Sequence, residues 1–137
     1  MKRLLLLSNS TLPGEPYLGW PKDHIDTFLG ETRKVLFIPF AAVGFTYDKY
    51  EEMVQNALSE KGIEVTSIHH AADPVEAVEH AESIFIGGGN TFHLLYQLQS
   101  QKLVEPIRRK VSEGTPYAGW SAGGNMACPS IKTTNDM

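Results

Sequence analysis

The segment Gly119-Trp120-Ser121-Ala122-Gly123 matches the pattern G-x-S-x-G. That spacing has a chemical use. A serine on a tight turn between a strand and a helix holds its hydroxyl clear of the sheet, and glycines on both sides let the crowded segments approach. The hydroxyl then faces the positive end of the following helix. At ordinary glycine frequencies a chance match in a chain of this length is on the order of one in twenty. Here the motif also follows an apolar run and precedes small residues able to open a helix. Ser121 is therefore the candidate nucleophile of an acyl-transfer site. The competing reading is a glycine-rich turn that only packs closely.

Gly87-Gly88-Gly89-Asn90 is the second segment with chemical content. Acyl transfer needs two N–H donors aimed at the developing oxyanion. One is expected from Ala122, the residue after the nucleophile, and the other from Gly88 or Gly89, whose backbone no side chain shields. Asn90 is the candidate substrate-binding residue beside them. A phosphate loop is the alternative, but the Lys-[Ser/Thr] ending of a P-loop and the spacing of G-x-G-x-x-G are both missing. For a general base the chain offers five histidines. His69 and His70 follow a predicted strand, His93 lies inside the helix after the glycines, and His24 and His80 lie in predicted helices. The residues themselves assign none of them as the base. Cys128, the one cysteine, reads as a small apolar residue seven positions past the elbow. Trp120 reads as packing beside the turn.

These loops need a scaffold, and the pattern of apolar residues supplies one. Near-continuous apolar runs at Arg3–Leu7, Val35–Pro39, Glu64–Ile68, Ser83–Ile86 and Pro116–Gly119 predict strands buried on both faces. Helical periodicity separates them. Tyr50, Met53, Val54, Ala57 and Leu58 form one stripe, closed by Gly62. Asp73-Pro74 with Glu76 predicts a capped helix to about Ala81. Asn90 is expected to cap a helix carrying Phe92, Leu95 and Leu98. A further helix carries Leu103, Ile107 and Val111, with Pro106 in its first turn, and ends at Gly114. Between residues 12 and 31 three prolines break the pattern, leaving a helix at Lys22–Leu29. The fold class is therefore α/β, a mostly parallel sheet with helices on both faces. Ligands of such sheets collect at the carboxyl ends of the strands, where both glycine-bearing loops fall.

Composition narrows the function classes. The chain has 137 residues with a net charge of −4, which argues against a general nucleic-acid binder. Its apolar runs are too short for a membrane span, and the Leu4–Leu7 run is too short for the core of a signal peptide. A single cysteine excludes an internal disulfide, and no Cys/His cluster shows zinc-ligand spacing. A cytoplasmic protein is expected, with neither nucleic acid nor membrane as partner.

Five stretches, taken in order, resemble one family: Leu4–Gly14, Phe37–Phe40, Gly87–Phe92, Gly119–Gly123 and Thr133–Met137. The chain is similar to the peptidase E family of aspartyl dipeptidases, within the serine-peptidase group that also contains cyanophycinase. The resemblance implies a flavodoxin-like α/β fold related to class I glutamine amidotransferases. It implies hydrolysis of Asp-Xaa dipeptides with neither metal nor cofactor. It places Ser121 on the nucleophile, Gly87–Gly89 on the oxyanion loop and Asp136 on an acid of the charge-relay system. An amidotransferase would carry cysteine at position 121.

The family runs to somewhat over 200 residues, so residues 1–137 are expected to be a single α/β hydrolase domain truncated at its C-terminus. The family's catalytic histidine has no counterpart here. A cation for the aspartyl carboxylate is also expected outside these residues, since the twelve basic residues fall almost entirely in helices or at strand starts, with Lys132 alone near the motif-bearing tail. Two readings follow. In the first the chain is a serine dipeptidase of this type, or its N-terminal piece. In the second it is a catalytically incomplete binding or interaction module. A sheet ending at the fifth strand would then leave an open edge for a second copy or a complementing C-terminal segment.

Overall fold

Lys34–Ile38 and Ile84–Ile86 are apolar at nearly every position, as strands covered on both faces must be. The computed structural model, which describes residues 4–7, 22–42, 44 and 46–120, shows that arrangement. In chain order the elements are β1 (Leu4–Leu7), α1 (Lys22–Leu29), β2 (Lys34–Ile38), α2 (Tyr47–Leu58) and β3 (Glu64–Ser67). They continue with α3 (Pro74–Glu79), β4 (Ile84–Ile86), α4 (Thr91–Ser100), α5 (Val104–Ser112) and β5 (Tyr117–Trp120). All five strands are parallel, in the order β1-β5-β4-β2-β3.

That order decides which face each helix covers. The β1-to-β2 and β2-to-β3 connections step across the sheet in one direction, and the β3-to-β4 and β4-to-β5 connections step back. Right-handed crossovers must then put α1 and α2 on one face and α3, α4 and α5 on the other. The core divides accordingly. Val35, Phe37, Val65, Phe85 and Ala118 pack with Ile25 and Leu29 of α1 and Tyr50, Val54 and Leu58 of α2. Ile38, Ile84, Ile86 and Tyr117 pack with Val78, Leu94, Leu98, Ile107 and Val111 on the far side. Alternate residues of each strand thus serve opposite cores, as the two-residue repeat of a strand requires.

The caps form where the residue types called for them. Asp73 accepts the Glu76 N–H at 3.2 Å and Pro74 opens α3. Thr46 caps α2 through the Lys49 N–H. Gly62, at φ +73°, ends the short 3₁₀ turn after α2 in the left-handed region. Gln55 secures the outer strand to α2: its amide nitrogen donates to the Ile63 carbonyl at 3.0 Å and its oxygen accepts the Val65 N–H at 2.8 Å.

Three expectations change in the folded chain. The third strand stops at Ser67, and Ile68–His70 turn into a 3₁₀ segment whose Ile68 is buried. In α4 the buried stripe is Leu94 and Leu98, not Phe92, which is 69% exposed. Leu94 and Leu98 face the core one turn apart, and two residues carry Phe92 about 200° round the helix from Leu94. The fifth strand is not an edge either. It lies between β1 and β4, bonded to both, so the open edges of the described sheet are β1 and β3. The interaction module imagined with β5 as its edge loses its premise.

Phe85 tests the core. It is fully buried on β4, level with Phe37 of β2 and Ala118 of β5. Phe85→Ala should cost about 3–5 kcal/mol and lower the melting temperature by about 12 °C. Phe92→Ala, on the exposed side of α4, should stay within about 0.5 kcal/mol of the parent. Thermal denaturation followed by circular dichroism separates the two.

Candidate active site

The loops after β2 and β4 meet at the carboxyl edge of the sheet. From these adjacent strands α2 and α4 leave for opposite faces, which opens a crevice of the kind in which α/β sheets bind ligands. The glycine loop lines it. The Gly87 N–H donates to the Ile38 carbonyl at 3.2 Å, and the Asn90 N–H donates to the Ala41 carbonyl at 2.9 Å. Between these anchors, the N–H groups of Gly88 and Gly89 meet no acceptor among the described residues. Gly88 is half-buried and Gly89 exposed.

Each flanking glycine has a steric reason. A Cβ on Gly87 would lie 2.6 Å from Tyr50 Cζ and 2.9 Å from Phe37 Cζ. Gly89 has φ +143°, and a Cβ there would collide with the Ala41 carbonyl. The loop is held from above by Tyr50, whose hydroxyl donates to the Gly88 carbonyl at 3.0 Å. This fixes the peptide plane that presents the Gly89 N–H. Tyr50 was legible only as a stripe residue, although a tyrosine on an apolar stripe must find a partner for its hydroxyl.

The sheet register ties this loop to β5. Ile86 is level with Gly119 on the neighbouring strand, so Gly87 follows at the level of Trp120. Adjacent strands lie about 4.8 Å apart. The glycine loop therefore leaves its strand beside the point where the next one delivers the chain to Ser121. Ser121, Ala122, Cys128, Lys132 and Asp136 lie outside the described residues.

Asn90 is placed as the cap of α4, its Oδ1 accepting the His93 N–H at 2.9 Å. Its amide nitrogen meets no acceptor among the described residues. His93, in the first turn of α4, lies with Nε2 3.4 Å from the Tyr47 hydroxyl, which joins the start of α4 to the start of α2 across the crevice. Burial pushes the Tyr47 phenol above its ordinary value.

His69 and His70 do reach the same edge of the sheet, but beyond its outermost strand. β3 stands three positions from β5, about 14 Å away at ordinary strand spacing. Both are engaged elsewhere. His69 Nε2 lies 2.7 Å from Asp48 Oδ1, and His70 Nε2 lies 2.9 Å from Glu51 Oε1. The hydrogen bond with His69 holds the Asp48 carboxyl below the usual range. The hydrogen bond with Glu51 holds the His70 imidazole above its usual value. His24 lies in α1 and His80 at the end of α3.

The sequence pattern of peptidase family S51 matches residues 4–137. The chain belongs to peptidase family S51. It is 53% identical over 137 residues to Peptidase E of a Nostoc species, a match covering 99% of this chain and 57% of that protein. It is 50% identical over 134 residues to Peptidase E of Salmonella paratyphi A, covering 98% and 58% respectively. The chain thus spans somewhat under three-fifths of the length of these relatives. Among solved structures, a protein assigned as peptidase E from Listeria monocytogenes EGD-e superposes with a TM-score of 0.72. That match has 27% identity over all of this chain and 67% of the other. A peptidase from an acI-B1 actinobacterium shares the fold, with a TM-score of 0.67 at 23% identity over 88% of this chain and 54% of that one. The run of strands and helices predicted a parallel α/β sheet, and the fold of the S51 chain is the flavodoxin-like α/β fold that the family resemblance implied.

Proposed function

We propose that this chain carries the nucleophile and oxyanion half of a serine peptidase acting on dipeptides with an N-terminal aspartate. The observation that carries the reading is the Gly88–Gly89 pair. Its N–H groups are left without acceptors between two anchored neighbours, beside the strand that leads into Ser121, in a chain of family S51. In this reading Ser121 Oγ attacks the scissile carbonyl while a general base takes its proton. The N–H groups of Ala122 and of Gly88 or Gly89 hold the oxyanion. The tetrahedral intermediate collapses as the base returns the proton to the leaving amine. Water then cleaves the seryl ester by the reverse arrangement. Asp136 orients and charge-stabilises the base. The Asn90 amide donates to the substrate.

None of the chain's histidines is assigned as this base. His69 and His70 stand three strands from β5 with their imidazoles engaged by Asp48 and Glu51, and His93 is held toward Tyr47. In this reading the base, and the cation that receives the aspartyl carboxylate, belong to the part of the relatives' length that this chain does not span. Residues 1–137 then form one hydrolase domain that is completed by further sequence.

The test is hydrolysis of Asp-Leu against Glu-Leu by two proteins. One is the purified chain. The other is the chain joined to the C-terminal remainder of the Nostoc relative. Cleavage of Asp-Leu by the fusion, with Glu-Leu about 10–200-fold slower, is the expected result, since the two substrates carry the same carboxylate and differ by one methylene. An idle chain beside an active fusion places the base and cation in the added residues. A folded fusion that cleaves neither dipeptide overturns the proposal.

A further inference from the structure

Away from the glycine loop, the fold gathers a second group of chemically capable side chains at the start of α2. We propose that Asp48, His69 and His70, with Glu51 as fourth ligand, form a binding site for one divalent transition-metal ion of the zinc type.

The geometry is that of a ligand set. One ligand atom each from Asp48, His69 and His70 lies within 4.8 Å of the others. The nearest pairs are His69 Nε2 to Asp48 Oδ1 at 2.7 Å, His70 Nε2 to Asp48 Oδ1 at 3.7 Å and His70 Nε2 to Glu51 Oε1 at 2.9 Å. An ion bonded tetrahedrally at about 2.0–2.1 Å needs ligand atoms about 3.3 Å apart. The observed separations straddle that value, and rotation of the exposed Asp48 and His70 side chains closes the shell around His69 and Glu51.

The elements explain why these atoms converge. Asp48 and Glu51 are three residues apart on one face of α2. The 3₁₀ turn at Ile68–His70 brings two consecutive imidazoles alongside each other, with centroids 4.0 Å apart and rings tilted by 36°. Extended backbone would have sent them to opposite faces. Two of the ligands are already oriented by partners of their own. His69 Nδ1 is hydrogen-bonded to Ser67 Oγ, which leaves Nε2 to the ion, the arrangement in which the non-ligating ring nitrogen fixes tautomer and direction. Glu51 Oε2 accepts the Ser67 N–H at 2.5 Å, leaving Oε1 toward the site. The Tyr47 ring walls one side, its centroid 5.7 Å from that of His69. The other side is open: the Asp48 side chain is 76% exposed, which gives an ion its entry path.

Imidazole nitrogen with carboxylate oxygen suits zinc, nickel or cobalt rather than calcium or magnesium, which take oxygen ligands. The bound ion would clamp α2 to the outer strand. Ligand spacing along the chain did not show the site, because its two pairs stand about twenty residues apart and join only through the β2–β3 crossover.

Isothermal titration of the full, tag-free, chelator-stripped chain with zinc chloride at pH 7.5 tests this. One ion per chain is expected to bind, with a melting temperature raised by about 8 °C at a hundredfold excess over Kd. Cobalt(II) should give the intense visible bands of a four-coordinate ion. His69→Gln and His70→Gln should each weaken binding at least about tenfold. His70 is half-exposed and outside the core, so that variant keeps the fold. Magnesium should give no comparable shift. No stoichiometric binding overturns the site, as does zinc binding unchanged by both glutamine variants.

Discussion

Gly89→Ala should lower stability by about 4 kcal/mol and, in any preparation that cleaves dipeptides, remove most of the activity. The stability loss has two sources. At φ +143° an L-residue is held where almost only glycine sits, which costs about 1–3 kcal/mol. The added methyl also meets backbone: its Cβ would overlap the Ala41 carbonyl oxygen and lie 2.8 Å from the carbonyl carbon. Backbone cannot rotate aside as a side-chain end can, so the loop must move, at a further cost of about 1–3 kcal/mol. Movement breaks the Asn90-to-Ala41 hydrogen bond that sets the loop's height over the sheet. The two unengaged N–H groups then point elsewhere, and an oxyanion hole that has lost a donor is about 10²–10³-fold slower. Gly44→Ala is the control, since a Cβ there meets nothing within 4 Å. Equal melting temperatures for the two variants would show that the loop is not held against Ala41.

Ser121→Ala should leave the melting temperature within a few degrees of the parent and abolish Asp-Leu turnover, by at least about 10⁴-fold in kcat. The substitution deletes one hydroxyl, adds no volume and keeps a small residue in the G-x-S-x-G turn. What it removes is the atom on which every covalent step depends. Residual turnover from the oxyanion donors and substrate binding alone would sit about 10³–10⁴-fold above the uncatalysed reaction. KM for Asp-Leu should change little, because recognition of the aspartyl group is assigned to other residues. The comparison is made in the preparation that shows cleavage, the chain or its fusion. Full activity in Ser121→Ala would remove the nucleophile from the proposal while leaving membership of family S51 untouched.

Much of this was legible in the residues. Asp73, Pro74 and Glu76 announce the start of a helix because capping depends on atoms three residues apart, and α3 begins there. Tyr50, Val54 and Leu58 repeat at helical spacing and are buried together. Gly87–Gly89 follow a strand and precede a capping asparagine, so a bare backbone loop at the carboxyl edge was readable from spacing alone. Where local pattern failed, a longer-range contact had decided. Phe92 is as apolar as Leu94, and only the packing of α4 against α5 and the sheet selects which side is buried. His69 and His70 read as a polar loop, because their partners Asp48 and Glu51 belong to a helix about twenty residues earlier.

The sequence by itself determined the alternation of strands and helices, the glycine loop, the serine motif and, through these together, the family. Each is a short-range property: an apolar period, a cap or a motif is complete within about ten residues. The tertiary structure alone decided the strand order, and with it everything that depends on which strands are neighbours. It put β5 inside the sheet, the glycine loop beside it and the two histidines three strands away. It seated the Tyr50 hydroxyl on Gly88 and brought Asp48 and Glu51 to His69 and His70. Buried parallel strands all read alike along the chain, since each is apolar on both faces. Their order follows from crossover handedness and from the burial of two whole faces at once, which no single segment encodes.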